Sequence, residues 1–275
     1  MILFWNQSKK KVRGKKLTKK IAFFDIDGTL LNHQKKLPEQ TKQAIQDLKE
    51  AGVFCAIATG RAPFMYKKLR EELGIDSFVS FNGQYVVFEG EEIYTNPLSS
   101  PQLEELHKNA KENNHPMVFM NHEKMMASES DHPFIKDSLG SLYIDHPPVD
   151  ASFYKEREIY QSLIFCEGGE IDDYRHRHTD FDYIRWHQYS CDVLPRGGSK
   201  AEGIKKLIEA AGLHIDDSYA FGDGLNDVEM IREAGTGVAM GNAVPQTKDV
   251  SDHVTEDVNQ DGLVKAIYDV GLLKN

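Results

Sequence analysis

The sequence contains no apolar run approaching the roughly 20 residues that a membrane-spanning helix needs, so no segment is expected to cross a bilayer. Cysteines number only three, an odd count without close spacing, which excludes a disulfide framework and a cysteine-rich metal knuckle. Cys55 and Cys191 fall in strand-like runs and read as small buried hydrophobes, in keeping with a reducing cytoplasm. Internal repeats and low-complexity linkers are also missing, as is the apolar central stretch of a secretory signal. Positive charge is scarce beyond the first residues. The net charge is −10, yet residues 1–20 hold eight Lys or Arg and no acid, so residues 21–275 carry −18. A body this acidic does not attract nucleic-acid phosphates by its overall field. The basic leader reads as a disordered tail, and a translation start near Leu17 would remove most of it.

What is present is a 275-residue chain with 40% apolar residues, enough for one large core or two modest ones. The runs "IAFF", "VFCAIAT" and "SFVSF" are strands without polar alternation, and amphipathic helices separate them. In the first helix Ala44, Ile45, Leu48 and Ala51 form the apolar stripe, Pro38 suits the first turn and Gly52 the end. This is the pattern of a parallel sheet covered on both faces. From residue 85 the texture changes: "QYVVFEGEEIYTN" reads as a hairpin turning near Glu89 and Gly90, and eight of the eleven histidines lie between it and Pro195. The α/β texture resumes after Pro195. The expected architecture is a basic leader (1–20), a doubly wound Rossmann-like α/β core (21–84 and 192–275) and an inserted α+β cap (85–191), hinged near Asn82-Gly83 and Pro195–Gly198.

Ligands of doubly wound sheets bind beyond the carboxyl ends of the strands. Those ends carry Asp25 and Asp27 in "DIDGT", Thr59-Gly60-Arg61, and Asp223, Asn226 and Asp227 in "GDGLND". Lys200 starts the helix that reopens the core. Two unit charges about 4 Å apart interact by about 4 kcal/mol at an effective dielectric near 20, so clustered carboxylates require a cation or a retained proton. Hard carboxylate oxygens without His or Cys favour Mg²⁺ over zinc, and Mg²⁺ held by few carboxylates typically meets a substrate phosphate. An EF-hand fits poorly, because Gly28 is fourth and Lys36 twelfth counted from Asp25. Thr59 could instead cap the following helix, and Asn226 or Asp227 the one after "GDGLND". "SKAE" is a capping box that sets Lys200 in a first helical turn, where a cation opposes the helix dipole unless anions face it. The stretch "YRHRH", with Arg175, His176, Arg177 and His178, reads as a solvated face.

"DIDGT", "ATGR", Lys200 and "GDGLND", in this order, resemble the four motifs of the haloacid dehalogenase superfamily of phosphotransferases. The position of the insert, together with "FGDGLNDVEMI" and "GVAMGNA", resembles the Cof-type subgroup with a large α/β cap. The resemblance covers residues 20 to 270 and implies a phosphatase acting on a small cytoplasmic phosphate monoester, with no nucleic-acid or membrane partner. Asp25 is then the nucleophile that forms an aspartyl-phosphate, and Asp27 the general acid and base, its proton retained beside other carboxylates. Mg²⁺ is held by Asp25, the Asp27 carbonyl, Asp223 and Asp227. Gly28, Thr59, Gly60, Lys200 and Asn226 surround the phosphate. The alternatives are a phosphomutase on the same fold and, further off, a receiver-like module without turnover.

Overall fold

A computed structural model describes residues 20–274, so the expectations for the basic leader lie almost wholly outside the described residues. In chain order the elements are β1 (Ile21–Phe24), α1 (Glu39–Glu50), β2 (Phe54–Ala58), α2 (Lys67–Leu73), β3 (Phe78–Ser80), β4 (Tyr85–Phe88), β5 (Glu91–Thr95), α3 (Ser100–Glu112), β6 (Met117–Met120), β7 (Met125–Ala127) and α4 (Pro133–Gly140). There follow β8 (Gln161–Phe165), α5 (Ile171–Arg177), β9 (Phe181–His187), β10 (Ser190–Pro195), α6 (Lys200–Ala211), β11 (Ser218–Gly222), α7 (Val228–Glu233), β12 (Thr236–Ala239), α8 (Pro245–Asp249), β13 (His253–Val254) and α9 (Gly262–Asp269).

Eight strands form the main sheet in the order β13-β12-β11-β1-β2-β3-β4-β5. Pairing is parallel from β13 to β3 and antiparallel through β4 and β5. Every residue of β1 is buried, because the strand alternates between two covered faces. Ala22 and Phe24 meet Ile45 and Leu48 of α1 and Leu263 and Ile267 of α9. Ile21 and Phe23 meet Ile204 and Leu207 of α6 and Ile231 of α7. Helices on both faces explain why the strands lack polar alternation. In α1 the buried stripe is Thr41, Ala44, Ile45 and Leu48; Ala51 caps the end and is exposed, unlike its expected place in the stripe.

Five antiparallel strands form a second sheet, β7-β6-β8-β10-β9. One face is covered by α3 and α5 through Leu103, Leu106, Ile171 and Tyr174. The other presents Val118, Met120, Leu163 and Phe165, which cluster with residues of the main core. Strand pairing corrects the sequence boundaries. Residues 85–95 form the expected hairpin, with positive φ at Glu89 and Gly90, but β4 and β5 extend the main sheet, and β10 runs on to Pro195 within the second. The two sheets therefore join through residues 96–99 and 196–199. Asn82-Gly83, expected as a hinge, is buried instead, because the start of α6 lies directly on it.

Candidate active site

The site grows from the middle of the main sheet. β1 lies between β2 and β11, with Phe24 level with Ile57 on one side and Phe221 on the other. Just past this level, one residue on in β1 and two residues on in its neighbours, Asp25, Thr59 and Asp223 emerge at the carboxyl edge. Asp25 is 8% exposed, and its backbone N–H donates to the Phe221 carbonyl at 2.9 Å.

Lys200 reaches this edge from the first turn of α6. Ser199 caps the helix by accepting from the Glu202 N–H at 3.3 Å, while the Glu202 carboxylate pairs with Lys205 at 2.7 Å. Only half of the expected capping box therefore forms. Gly83 permits the approach: a Cβ there would lie 2.0 Å from the Ser199 carbonyl oxygen. Lys200 is 1% exposed, and its Nζ lies 2.6 Å from Asp25 Oδ1 and 2.6 Å from Asp227 Oδ1. Burial alone would lower the ammonium pKa, but Asp227 and Asp25 hold it raised. Conversely, burial pushes the Asp25 carboxyl up to about 7 against the pull of Lys200, and Asp227 and Asp223 add repulsion. Burial likewise pushes Asp223 up to about 6, with Asp227 contributing.

Asp227 is fully buried, and its second oxygen accepts from the N–H groups of Asp223 (2.9 Å) and Gly224 (2.8 Å). Its carboxylate thus shapes the loop before α7 rather than capping that helix, as one reading of the sequence had it. Gly28 has φ +78°, and a Cβ there would lie 2.3 Å from Asp223 Oδ2, so glycine is needed for both reasons. Thr59 caps no helix, since the following helical turn has Ala62 at its cap; its hydroxyl accepts from the Arg61 N–H at 3.1 Å and forms the 59–61 turn. Gly60 lies against the Asn82 amide, and Asn226, itself exposed, donates to Asn82 Oδ1 at 3.1 Å.

Asp27 departs from expectation. Its carboxylate is gripped by Arg61, with Nε to Oδ2 at 2.8 Å and Nη2 to Oδ1 at 2.7 Å, and by Lys35 at 2.7 Å. Burial would raise its pKa, but Arg61 and Lys35 outweigh burial and leave it lowered. The upward push expected at Asp27 beside other carboxylates falls on Asp25 and Asp223 instead, while Arg61 and Lys35 pull Asp27 down.

Sequence reasoning missed Asn82, Lys35 and Asn242. Asn242 donates from one Nδ2 to the Gly28 carbonyl (2.9 Å) and to Asp223 Oδ2 (3.0 Å), while its Oδ1 accepts from the Val258 N–H at 2.9 Å. Asn82 and Asn242 follow the ends of β3 and β12, so the strand-end logic that found Asp25 would also have found them. Lys35 lies in a loop and carried no such signal. The "YRHRH" stretch lies away from this site: Arg175 and Arg177 pair with Asp172 and Asp173, His176 is exposed, and His178 turns inward to Asn109. All three cysteines are buried and free.

Asp25, Asp223 and Asp227 bring one carboxylate oxygen each within 4.8 Å of one another. Three hard oxygen donors, two with carboxyls pushed up chiefly by burial, suit Mg²⁺. The Asp27 carboxylate takes no part in this cluster.

The family model for haloacid dehalogenase-like hydrolases matches residues 22–267. The chain belongs to this family. It is 51% identical to the Bacillus subtilis protein named "Putative phosphatase YkrA", over 93% of this chain and 99% of that one. A crystal structure of a hypothetical protein from Geobacillus kaustophilus superposes with a TM-score of 0.90 at 53% identity, over 93% of this chain and 100% of the other. The HAD subclass IIB sugar phosphatase BT4131 superposes with a TM-score of 0.81 at 27% identity, again over 93% and 100%. This membership makes the chain a hydrolase of phosphate esters and removes the receiver-like alternative. Among the described residues no helix is long and apolar enough to cross a membrane.

Proposed function

We propose that the protein is a Mg²⁺-dependent phosphatase that hydrolyses a small cytoplasmic phosphate monoester through an aspartyl-phosphate. The observation that carries this reading is the buried Lys200, bridging Asp25 and Asp227 at 2.6 Å beside Asp223. Asp25, Asp223, Asp227 and the Asp27 carbonyl hold Mg²⁺. The metal, when bound, supplies charge neutralisation at the transferring phosphoryl oxygens.

An Asp25 oxygen forms the bond to phosphorus as the ester C–O–P oxygen departs, and Asp27 gives that oxygen its proton. Asp27 then takes a proton from water as the water oxygen attacks phosphorus, which releases inorganic phosphate and restores Asp25. Since Arg61 and Lys35 hold Asp27 ionised, it must part from them to carry a proton. Lys200 and the backbone around Thr59 and Gly60 stabilise the negative charge that develops. Asn226 supports them through Asn82. The cavity beside these groups, about 330 Å³, suits a small metabolite. The acidic body argues against nucleic acid as a partner.

Phosphate release from a panel of metabolite esters, with and without Mg²⁺, tests the reading. Asp25→Asn is expected to lower kcat by at least about a thousandfold, the scale on which loss of a nucleophile is felt. Undiminished turnover in that variant would sink the covalent route.

A further inference from the structure

The second sheet carries a group of unlike side chains on its far face. Cys166, one residue past the end of β8, joins Ile164 in the cluster under α3 and α5, whereas Leu163 and Phe165 belong to the cluster of the main core. His115 stands two residues before β6, and the Phe165 N–H donates to the Pro116 carbonyl at 3.0 Å, which brings the start of β6 alongside the end of β8. Glu170 stands immediately before α5. A ring nitrogen, a sulfur and a carboxylate oxygen from these three residues lie within 4.8 Å of one another, and His115 Nε2 is 3.2 Å from Glu170 Oε2. Cys166 is fully buried while Glu170 is exposed, so an ion arriving from solvent meets the carboxylate first.

The surroundings hold each of the three in place. His115 Nδ1 lies 2.7 Å from the hydroxyl of the buried Tyr174, which also accepts from Asn113 Nδ2 at 3.2 Å. A partner on the far ring nitrogen is how a metal-binding imidazole is oriented, and here it leaves Nε2 toward Glu170. Glu170 Oε2 accepts from the Glu167 N–H at 2.7 Å, which keeps the carboxylate turned back to this corner. Arg185 Nη2 lies 3.7 Å from Cys166 Sγ, and a guanidinium beside a thiol favours the thiolate. An ion pair between His115 and Glu170 would account for two of the residues but not for the sulfur. Oxygen donors alone suit Mg²⁺; a nitrogen, a sulfur and an oxygen together suit zinc. Tetrahedral zinc ligands about 2.0–2.3 Å from the ion are about 3.5 Å apart, so side-chain movements of about 1 Å complete the geometry. We propose that His115 Nε2, Cys166 Sγ and a Glu170 carboxylate oxygen form a zinc site, with the fourth position open to water, that ties β6, β8 and α5 together. On binding, the Cys166 thiol proton and any proton on Nε2 pass to solvent, while Nδ1 keeps its N–H for the Tyr174 oxygen.

Cobalt reports such a site without reference to turnover. The whole protein, kept reduced and in excess Mg²⁺ so that the main-sheet carboxylates are filled, would be titrated with Co²⁺ and then with Zn²⁺. A thiolate-to-cobalt charge-transfer band in the near ultraviolet is expected to saturate at one Co²⁺ per chain and to disappear as Zn²⁺ displaces it. The band is expected to be lost in Cys166→Ser and kept in Cys191→Ser, the other cysteine on this face. Glu170→Gln can still accept from the Glu167 N–H and is expected to weaken Zn²⁺ binding at least tenfold, since even the partners that orient a ligand are commonly worth about 10–100-fold. Absence of the band in the wild-type chain, a band that survives in Cys166→Ser or vanishes in Cys191→Ser, or a loss below tenfold in Glu170→Gln overturns the proposal. Glu170 is exposed, so its variant keeps the test independent of how the buried Cys166 tolerates replacement.

Discussion

Asp27 and Arg61 set the proton economy of the site at the scale of single residues. A carboxylate bonded by two guanidinium N–H groups and an ammonium is a poor acid until those contacts loosen. Removing Arg61 raises the Asp27 pKa, so its protonated form persists to higher pH. For Arg61→Met the alkaline limb of the kcat/KM profile, which reports the free enzyme, is expected to move upward by about one unit, the usual scale for an opposite charge in contact; a stationary limb would show that Asp27 is not the acid. Asn242 is a positioning residue of a different kind, since it ties Asp223 to the Gly28 carbonyl. Partners that orient a metal ligand are commonly worth about 10–100-fold in metal affinity. Asn242→Ala is therefore expected to raise the Mg²⁺ concentration for half-maximal activity by about tenfold, with kcat at saturating Mg²⁺ changed far less. The acids were legible in the sequence because each ends a strand. Their partners were not, because pairings such as Asp27 with Arg61 and Lys35 depend on side-chain directions that spacing does not encode.

At the scale of elements, the seat of α6 decides where Lys200 points. Gly83 and Gly203 lie backbone to backbone: a Cβ on Gly203 would lie 2.8 Å from the Gly83 Cα and 2.5 Å from a Val79 methyl. Gly83→Ala must push the helix outward, and it also forces a side chain onto a residue at φ +101°. A loss of at least about 2 kcal/mol in unfolding free energy is expected, in line with strain at special backbone positions. Activity should fall further than stability alone explains, because Lys200 moves with the helix; chemical denaturation and kcat measured on the same preparation separate the two effects. The helices and parallel strands were readable from periodicity and from unbroken apolar runs. The end of the core was not, since the hairpin of β4 and β5 looks the same whichever sheet it joins, and the change of texture at residue 85 precedes the change of sheet. Pairing partners are long-range facts.

The whole molecule stores positive-charge demand in several buried carboxyls at once. Asp25 and Asp192 are pushed up to about 7 and Asp223 to about 6, so the folded protein keeps protons that the unfolded chain releases above its ordinary value of 3.8. Raised carboxyls stabilise the fold fully below that ordinary value, and the contribution is lost as pH climbs toward 6–7. The metal-free protein is therefore expected to melt at lower temperature at pH 8 than at pH 5. Mg²⁺ replaces protons at Asp25 and Asp223, so its stabilising effect grows over the same interval. Thermal scans at both pH values, with and without Mg²⁺, check this: a melting-temperature rise on adding Mg²⁺ that is no larger at pH 8 than at pH 5 would count against a metal at these carboxylates.

The placement of β1 between β2 and β11 also bears on how the chain is made. Its nucleophile-bearing strand is completed on one side by residues 54–58 and on the other only by residues 218–222, which leave the ribosome far later. Until then the β11-facing edge of a wholly apolar strand stands open, the situation in which strands recruit unintended partners. Lys200 and Asp227 arrive with that same late segment. A growing chain thus acquires the closed sheet and the charge-balanced site together, and a truncated product lacking residues 200–275 would carry Asp25 on an exposed edge without the Lys200 ammonium that pairs with it.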